Sequence, residues 1–310
     1  MNTRRDIMVI PEGTTEDKLI ELWIRLKKSE YTQKAYRHDI EVFRAFVEKP
    51  LNEVTLEDAL DFYDNLDEIE IVSKRGETKK LEDNSKRRIL NAVKSFYSFA
   101  YTSGMFRANV MAAIKPPSAK SAISQRILSE SAVLKMIIME QDPRNPAILH
   151  VLYAAGLRVS ELCNLRWRHV LRREKGVQLD IMSGKGDKQR HVLLSESSWE
   201  VLSAIREEAS ADTFVFQSRQ EVSRAGYYKG TRLDTTTIFL IVREAAKRAG
   251  IPNWSEVSPH WLRHCHGSHA INRHAPLTVV RDTLGHSNIS VTNEYAKARP
   301  DESSAHYLPL

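Results

Sequence analysis

Tyr153-Ala154-Ala155-Gly156-Leu157-Arg158-Val159-Ser160-Glu161-Leu162 lies near the middle of a 310-residue chain, and it ends one helix and starts another. Pro146 can open the first of these helices, and Leu149 and Leu152 carry its apolar face to a stop at Gly156. Arg158 follows that stop and enters a new helical turn, so its side chain can project from a helix start. Glu161, three residues on, shares its face and can orient neighbouring groups. The plainer alternative is that the two form an ordinary surface ion pair. An arginine at the mouth of a helix, flanked by apolar residues on both sides, points to a placed cation.

C-terminal to this stretch, Val177, Leu179 and Ile181 alternate with polar residues. Gly184-Lys185-Gly186-Asp187 then turns, and Val192 and Leu194 alternate again, which predicts a β-hairpin. Helices are expected to resume at about Ser197 and at Thr236, the latter ending in Gly250-Ile251-Pro252. Ser258 and Pro259 read as an N-cap and first-turn proline. On the N-terminal side, Ser129 can cap a helix through Val133, Met136 and Ile137. Before it, Lys115-Pro116-Pro117-Ser118-Ala119-Lys120-Ser121-Ala122 has linker chemistry; its lysines suit a strap on a phosphate backbone or a simply solvated connector. A first helical block precedes the linker. Tyr36, Ile40, Phe43 and Val47 make one apolar face, and Ile89, Val93, Phe96 and Ala100 make another. Lys86, Arg87, Arg88 and Lys94 lie on or near the other faces of that second helix. Ser73-Lys74-Arg75-Gly76-Glu77 between the two reads as a loop. The expected fold is mainly α, with one small antiparallel sheet in the second domain. The expected layout is a helical domain at 1–114, a linker at 115–125 and a second domain at 126–310.

With 46 basic and 40 acidic residues the net charge is +6, which is compatible with a polyanionic partner without requiring one. Cys163 and Cys265 form no CxxC pair, which argues against a disulfide framework or a zinc ribbon. No signal-peptide stretch or membrane-length apolar run is present, and a cytoplasmic protein is expected.

The second domain also carries a set of polar groups suited to one reaction. A phosphodiester repels nucleophiles and has a poor leaving group. Cleaving it calls for fixed cations on the non-bridging oxygens, a proton donor and a placed nucleophile. Arg158 and Arg263 can clamp phosphate through forked guanidiniums. His260 opens its helix and shares a face with Arg263. His286, just after Gly285, can add a third contact, and Tyr295 can be the nucleophile. Lys185, at the hairpin tip between two glycines, can protonate a leaving oxygen, with Lys188 and Arg190 as competing donors. His264, His266, His269 and His274 crowd the same region. The spacing of His260 and His264 fits a zinc helix, but Trp261 stands where its glutamate would be. Packing or surface roles are expected for the extra histidines, and no metal or cofactor is expected.

These motifs resemble those of the tyrosine recombinases, the phage-integrase family that cuts and rejoins DNA. The resemblance covers most of the chain and is strongest from Arg126 to about Arg299. Tyr153–Leu162, His260-Trp261-Leu262-Arg263-His264 and Leu284-Gly285-His286-Ser287-Asn288-Ile289 carry it, with Tyr295 nine residues after the histidine. Tyr31-Thr32-Gln33-Lys34-Ala35-Tyr36-Arg37-His38-Asp39 is similar to the start of the family's core-binding, SAM-like domain. The two-part layout is similar to Xer-like recombinases and compact integrases. The resemblance implies that Tyr295 forms a 3′-phosphotyrosine and that Arg158, Arg263 and His286 stabilise the phosphoryl charge. It makes His260 the general base and Lys185 the general acid, with Glu161 supporting the arginines. It further implies double-stranded DNA as partner, a dimer on each site, a homotetramer on two sites and a Holliday junction. A second recombinase or accessory protein is a further partner to test for. DNA contacts are expected at Thr32, Lys34, Arg37, Lys86, Arg87, Lys115 and Lys120, and a nucleoid-associated location in the cytoplasm follows. A type IB topoisomerase and an inactive DNA-binding relative are the rival readings. Trp261 departs from the small or polar residue usual in the family. The tail with Tyr307, Leu308 and Leu310 can pack on a neighbouring protomer or fray.

Overall fold

The computed structural model describes residues 13–72, 76, 78–117, 124–182, 189–206, 208–219, 229–286 and 292. The chain divides into two compact units, Met1–Lys120 and Ser121–Leu310.

The first unit is built from α1 (Glu16–Arg25), α2 (Glu30–Val47), α3 (Leu56–Asp64) and α4 (Asp83–Thr102). Side chains cap the starts of α1 and α3. Thr15 accepts from the Lys18 N–H at 3.3 Å, and Thr55 and Asp58 exchange hydrogen bonds in a capping box at α3. The expected faces are present: Ile40 and Phe43 are buried with Tyr36 and Val47 at their margin, and Ile89, Val93, Phe96 and Ala100 are all buried. Rings fill this core. Trp23 and Phe96 meet edge to face at 5.4 Å, and Phe43 and Phe62 at 4.8 Å. Arg88 turns inward and grips the buried Asp39 with two hydrogen bonds of 3.0 and 2.8 Å. A two-stranded antiparallel ribbon, β1 (Glu70–Val72) and β2 (Thr78–Lys80), flanks the expected 73–77 loop. The strands are three residues long, and β2 is exposed throughout, so no alternation marks them in the sequence.

The second unit opens with α5 (Glu130–Ile138), capped by Ser129 as expected, then α6 (Arg144–Ala154) and α7 (Val159–Asn164). The α6 start corrects the sequence reading. Pro143 is the N-cap and Pro146 sits in the first turn, where no intrahelical N–H partner is required of it. A three-stranded antiparallel sheet follows: β3 (Val170–Arg173), β4 (Gly176–Ile181) and β5 (Arg190–Leu194). The alternating residues pair as a hairpin should, Val177 with Leu194 and Leu179 with Val192. The hairpin tip, with Lys185, lies outside the described residues. The helices α8 (Glu196–Ser203), α9 (Thr235–Arg248), α10 (Pro259–Asn272) and α11 (Leu277–Leu284) complete the unit. Ser258 does occupy the N-cap of α10 with extended backbone, but its side chain makes no capping hydrogen bond. Trp261 and Cys265 join the main core of this unit, which accounts for a large aromatic in the motif: it is a packing residue. Among the described residues no helix is long and apolar enough to cross a membrane.

Candidate active site

Gly156 turns the chain out of α6 with φ +57°, a left-handed conformation that glycine adopts without strain. The space is closed as well: a Cβ there would lie 2.7 Å from Leu284 Cδ2 and 3.0 Å from His266 Cδ2. This close approach brings the end of α6, the middle of α10 and the end of α11 together. Arg263 exploits it. The residue is 2% exposed, and its guanidinium donates to the carbonyls of Gly156 and Leu284. A buried cation is thus anchored to the ends of two helices, where carbonyl dipoles favour positive charge.

Arg158 is the N-cap of α7 and is more open, with its side chain 37% exposed. It donates to Glu161 at 2.9 Å and to the Gly285 carbonyl at 3.3 Å. The Glu161 side chain is only 6% exposed and also accepts from the Arg158 backbone N–H at 2.8 Å. The surface ion pair considered from the sequence is therefore not what forms. Burial raises the Glu161 pKa, but hydrogen bonds and charge from Arg190 and Arg158 outweigh it and hold the carboxyl below its usual value.

Arg190 is the residue the sequence reading missed, having appeared there only as a competing hairpin donor. It donates twice to Glu161 at 2.8 Å and once to the Thr283 carbonyl at 2.8 Å. No local pattern reveals this, because its partners lie 29 and 93 residues away.

His260 stands on the open side of the first turn of α10, with its ring 4.6 Å from that of His264. Desolvation by its surroundings, then the charges of Arg263, Arg126 and Arg158, lower its pKa. His286 follows Gly285, the left-handed C-cap of α11, and its Nδ1 lies 3.0 Å from the Thr292 hydroxyl. Burial and the charges of Arg263, Arg158, Arg190 and His260 push its pKa down to about 4. Both imidazoles are therefore neutral at physiological pH. Of the remaining histidines, His264, His266 and His269 pack and His274 is exposed, within the packing or surface roles expected. His266 bonds the Tyr153 carbonyl at 2.9 Å, and His269 bridges the Tyr153 hydroxyl and the Leu128 carbonyl, both at 2.9 Å. Among the described residues no cluster of His, Cys, Asp and Glu has metal-holding geometry.

Arg158 and Arg263 thus meet at the carbonyls of Gly156, Leu284 and Gly285, and their charges reach His260 and His286. Fixed positive charge beside neutral imidazoles suits an anionic substrate with protons to move. Lys185 and Tyr295 lie outside the described residues. Of the expected DNA contacts, Lys34, Arg87 and Lys115 are exposed and Thr32 is half-buried. Arg37 pairs with Glu21 at 2.7 Å, and Lys86 is held between Asp67 and Asp83. Lys120 lies outside the described residues.

Comparison with known proteins follows the same division. Residues 126–302 match the phage integrase family, and residues 19–104 match its N-terminal SAM-like domain. A tyrosine recombinase of Thermosipho africanus is 29% identical over 92% of this chain and 97% of its own length. Tyrosine recombinase XerC of Neisseria gonorrhoeae is 30% identical over 91% of this chain and 90% of its own. Among solved structures, a lambda integrase (75-356) dimer bound to a COC′ core site shares the fold. Its TM-score is 0.69 at 17% identity, over 93% of this chain and 95% of that one.

Proposed function

This chain belongs to the phage integrase family and is a site-specific tyrosine recombinase, and we propose that Tyr295 is its nucleophile, with Arg158, Arg263, His260, His286 and Lys185 around the scissile phosphate. The observation that supports this best is the convergence of Arg158 and Arg263 on the carbonyls of residues 156, 284 and 285, close enough to His260 and His286 for their charges to act on both rings.

The Tyr295 hydroxyl oxygen attacks phosphorus as His260 takes its proton. The bond to the 5′ oxygen breaks, Lys185 supplies that oxygen with a proton, and a 3′-phosphotyrosine and a free 5′ hydroxyl result. Arg158 and Arg263 stabilise the charge that builds on the non-bridging oxygens. With the Thr292 hydroxyl donating to Nδ1, neutral His286 carries its proton on Nε2 and offers it to a phosphoryl oxygen. One phosphoester replaces another, so a 5′ hydroxyl from a second duplex reverses the step and rejoins the strand without an external energy source. The partner is double-stranded DNA, with a dimer on each site, four protomers on two sites and a Holliday junction between the two rounds of exchange. The enzyme works in the cytoplasm on the nucleoid.

The test is covalent trapping on nicked suicide duplexes taken from the DNA flanking the gene. A protease-sensitive adduct that maps to Tyr295 and vanishes in Tyr295→Phe, with DNA binding retained, is the expected result. An adduct that persists in Tyr295→Phe would reject the assignment. Site-independent relaxation of supercoiled plasmid would replace recombination by topoisomerase activity.

A further inference from the structure

We propose that Arg190 is a positioning residue for the phosphate clamp: it balances the charge of Glu161 and ties that carboxylate to the end of α11, so that Arg158 and His286 are presented together and Arg158 keeps its positive charge for the DNA. The proposal rests on reading Arg158 and His286 as phosphate ligands.

Three features of the geometry carry it. Arg190 uses each of its guanidinium nitrogens inside the protein: Nε on the Thr283 carbonyl and the two terminal nitrogens on Glu161, all at 2.8 Å. Its side chain is only 9% exposed, so it is a strut and not a further phosphate contact. Second, Glu161 is shared. Paired with Arg158 alone, the buried carboxylate would cancel the charge that the site needs. With Arg190 on its other side, the trio of Arg158, Glu161 and Arg190 keeps a net positive charge, and the carboxylate still fixes the Arg158 fork at 2.9 Å. Third, Arg190 lies flush against the turn that carries His286. A Cβ at Gly285 would sit 3.1 Å from Arg190 Cδ and 3.3 Å from Nε, and the carbonyl of that same glycine accepts from Arg158 at 3.3 Å. One side chain therefore joins β5, α7 and α11 at the point where the clamp is assembled. A simple brace would need the shape of Arg190; this role needs its charge.

The experiment compares Arg190→Gln, Arg190→Lys, Glu161→Gln and the double variant Glu161→Gln/Arg190→Gln in the full-length protein. Single-turnover cleavage of the nicked suicide duplexes is measured beside DNA affinity, and the His286 ring is titrated by NMR in the DNA-free protein. Arg190→Gln is expected to slow cleavage roughly 10- to 100-fold while changing DNA affinity no more than about twofold. Its His286 pKa should rise toward the ordinary imidazole value of 6.5, because one of the cations holding it down is gone while Arg263, Arg158 and His260 remain. Arg190→Lys keeps the charge without the fork and should cleave at an intermediate rate with His286 little moved. The double variant should cleave faster than Arg190→Gln, because the unbalanced carboxylate has been removed. If Arg190→Gln does not fold, the rise in His286 pKa from Glu161→Gln to the double variant gives the same reading. An unmoved His286 titration would overturn the proposal whatever happens to cleavage. An adduct missing from the unmodified protein as well would strike the proposed chemistry, and the titration alone would then decide on Arg190.

Discussion

The two units bury different things. The first fills its core with rings: Trp23, Phe43, Phe62, Phe96 and Tyr97 are among the largest fully buried side chains. Its buried charge is Asp39, matched by Arg88. The second buries Arg263, Glu161, His264 and His269 beside its aliphatic core. A buried ring needs only neighbours of the right shape, whereas a buried ion or imidazole needs partners that answer its charge and hydrogen bonds. Here the partners of Arg263 and Glu161 converge on one place, which is where chemistry can use them. The first unit has the character of a platform and the second that of a site.

The comparison can be broken by substitution. Trp23→Ala removes a fully buried indole that also donates to Ser95 at 3.2 Å. A loss of about 3–5 kcal/mol is expected, read by hydrogen exchange as lost protection in the first unit. Equal loss across the second unit would show that the platform and the site are not separate cooperative units. Arg158→Ala and Arg263→Ala should each slow single-turnover cleavage by about 10²–10³. They should differ in stability. Arg263→Ala orphans two buried carbonyls at about 1–3 kcal/mol each, while the half-open Arg158 leaves Glu161 still held by Arg190. Matching melting temperatures for the two variants would argue against that division of labour.

Acid should also separate the units. His264, His266 and His286 have folded-state pKa values pushed down to about 3, 4 and 4, chiefly by burial. The folded state refuses protons that the unfolded chain accepts. Their contribution is therefore complete above the unfolded value near 6.5 and is lost as pH falls toward 4, at about 1.4 kcal/mol per pH unit for each histidine. In the first unit, Arg37 holds the Glu21 carboxyl low despite some desolvation, and Lys49 holds that of Asp58 at about 2. Those contributions persist until the pH is below the ordinary carboxylate range. Burial raises the Asp39 pKa more than Arg88 lowers it, so that group acts in the opposite direction. Hydrogen exchange corrected for its intrinsic pH dependence should show the second unit loosening first between pH 6.5 and 4. Simultaneous loosening would contradict this assignment.

The smallest effects are expected on the platform surface. Lys34→Ala and Arg87→Ala should each reduce the slope of DNA affinity against salt by about one. Arg37→Ala and Lys86→Ala should change it less, because those cations already face Glu21, Asp67 and Asp83. A loss of cleavage rate at saturating DNA as large as that of Arg158→Ala, in any of these variants, would erase the distinction between the units.

Much of this arrangement is legible in the sequence. The α6 stop at Gly156, the Arg158 helix start, the β4–β5 alternation and the apolar faces of α2 and α4 are local signals, set by backbone sterics and by side chains spaced at the period of one element. The β1–β2 ribbon is not, because strands of three residues are too short to show a period. Nor is the start of α6, where two prolines compete for the first turn.

From the sequence alone came the element types, the residues equipped for phosphate chemistry and the family to which they point, because composition and spacing are properties of neighbouring residues. Tertiary structure alone decided that Glu161 is a buried hub and not half of a surface pair. It also placed Arg263 between two helix ends and made Arg190 a strut beneath Arg158. Those facts rest on hydrogen bonds between residues up to 107 positions apart, and a pairing at that distance exists only once the chain has closed on itself.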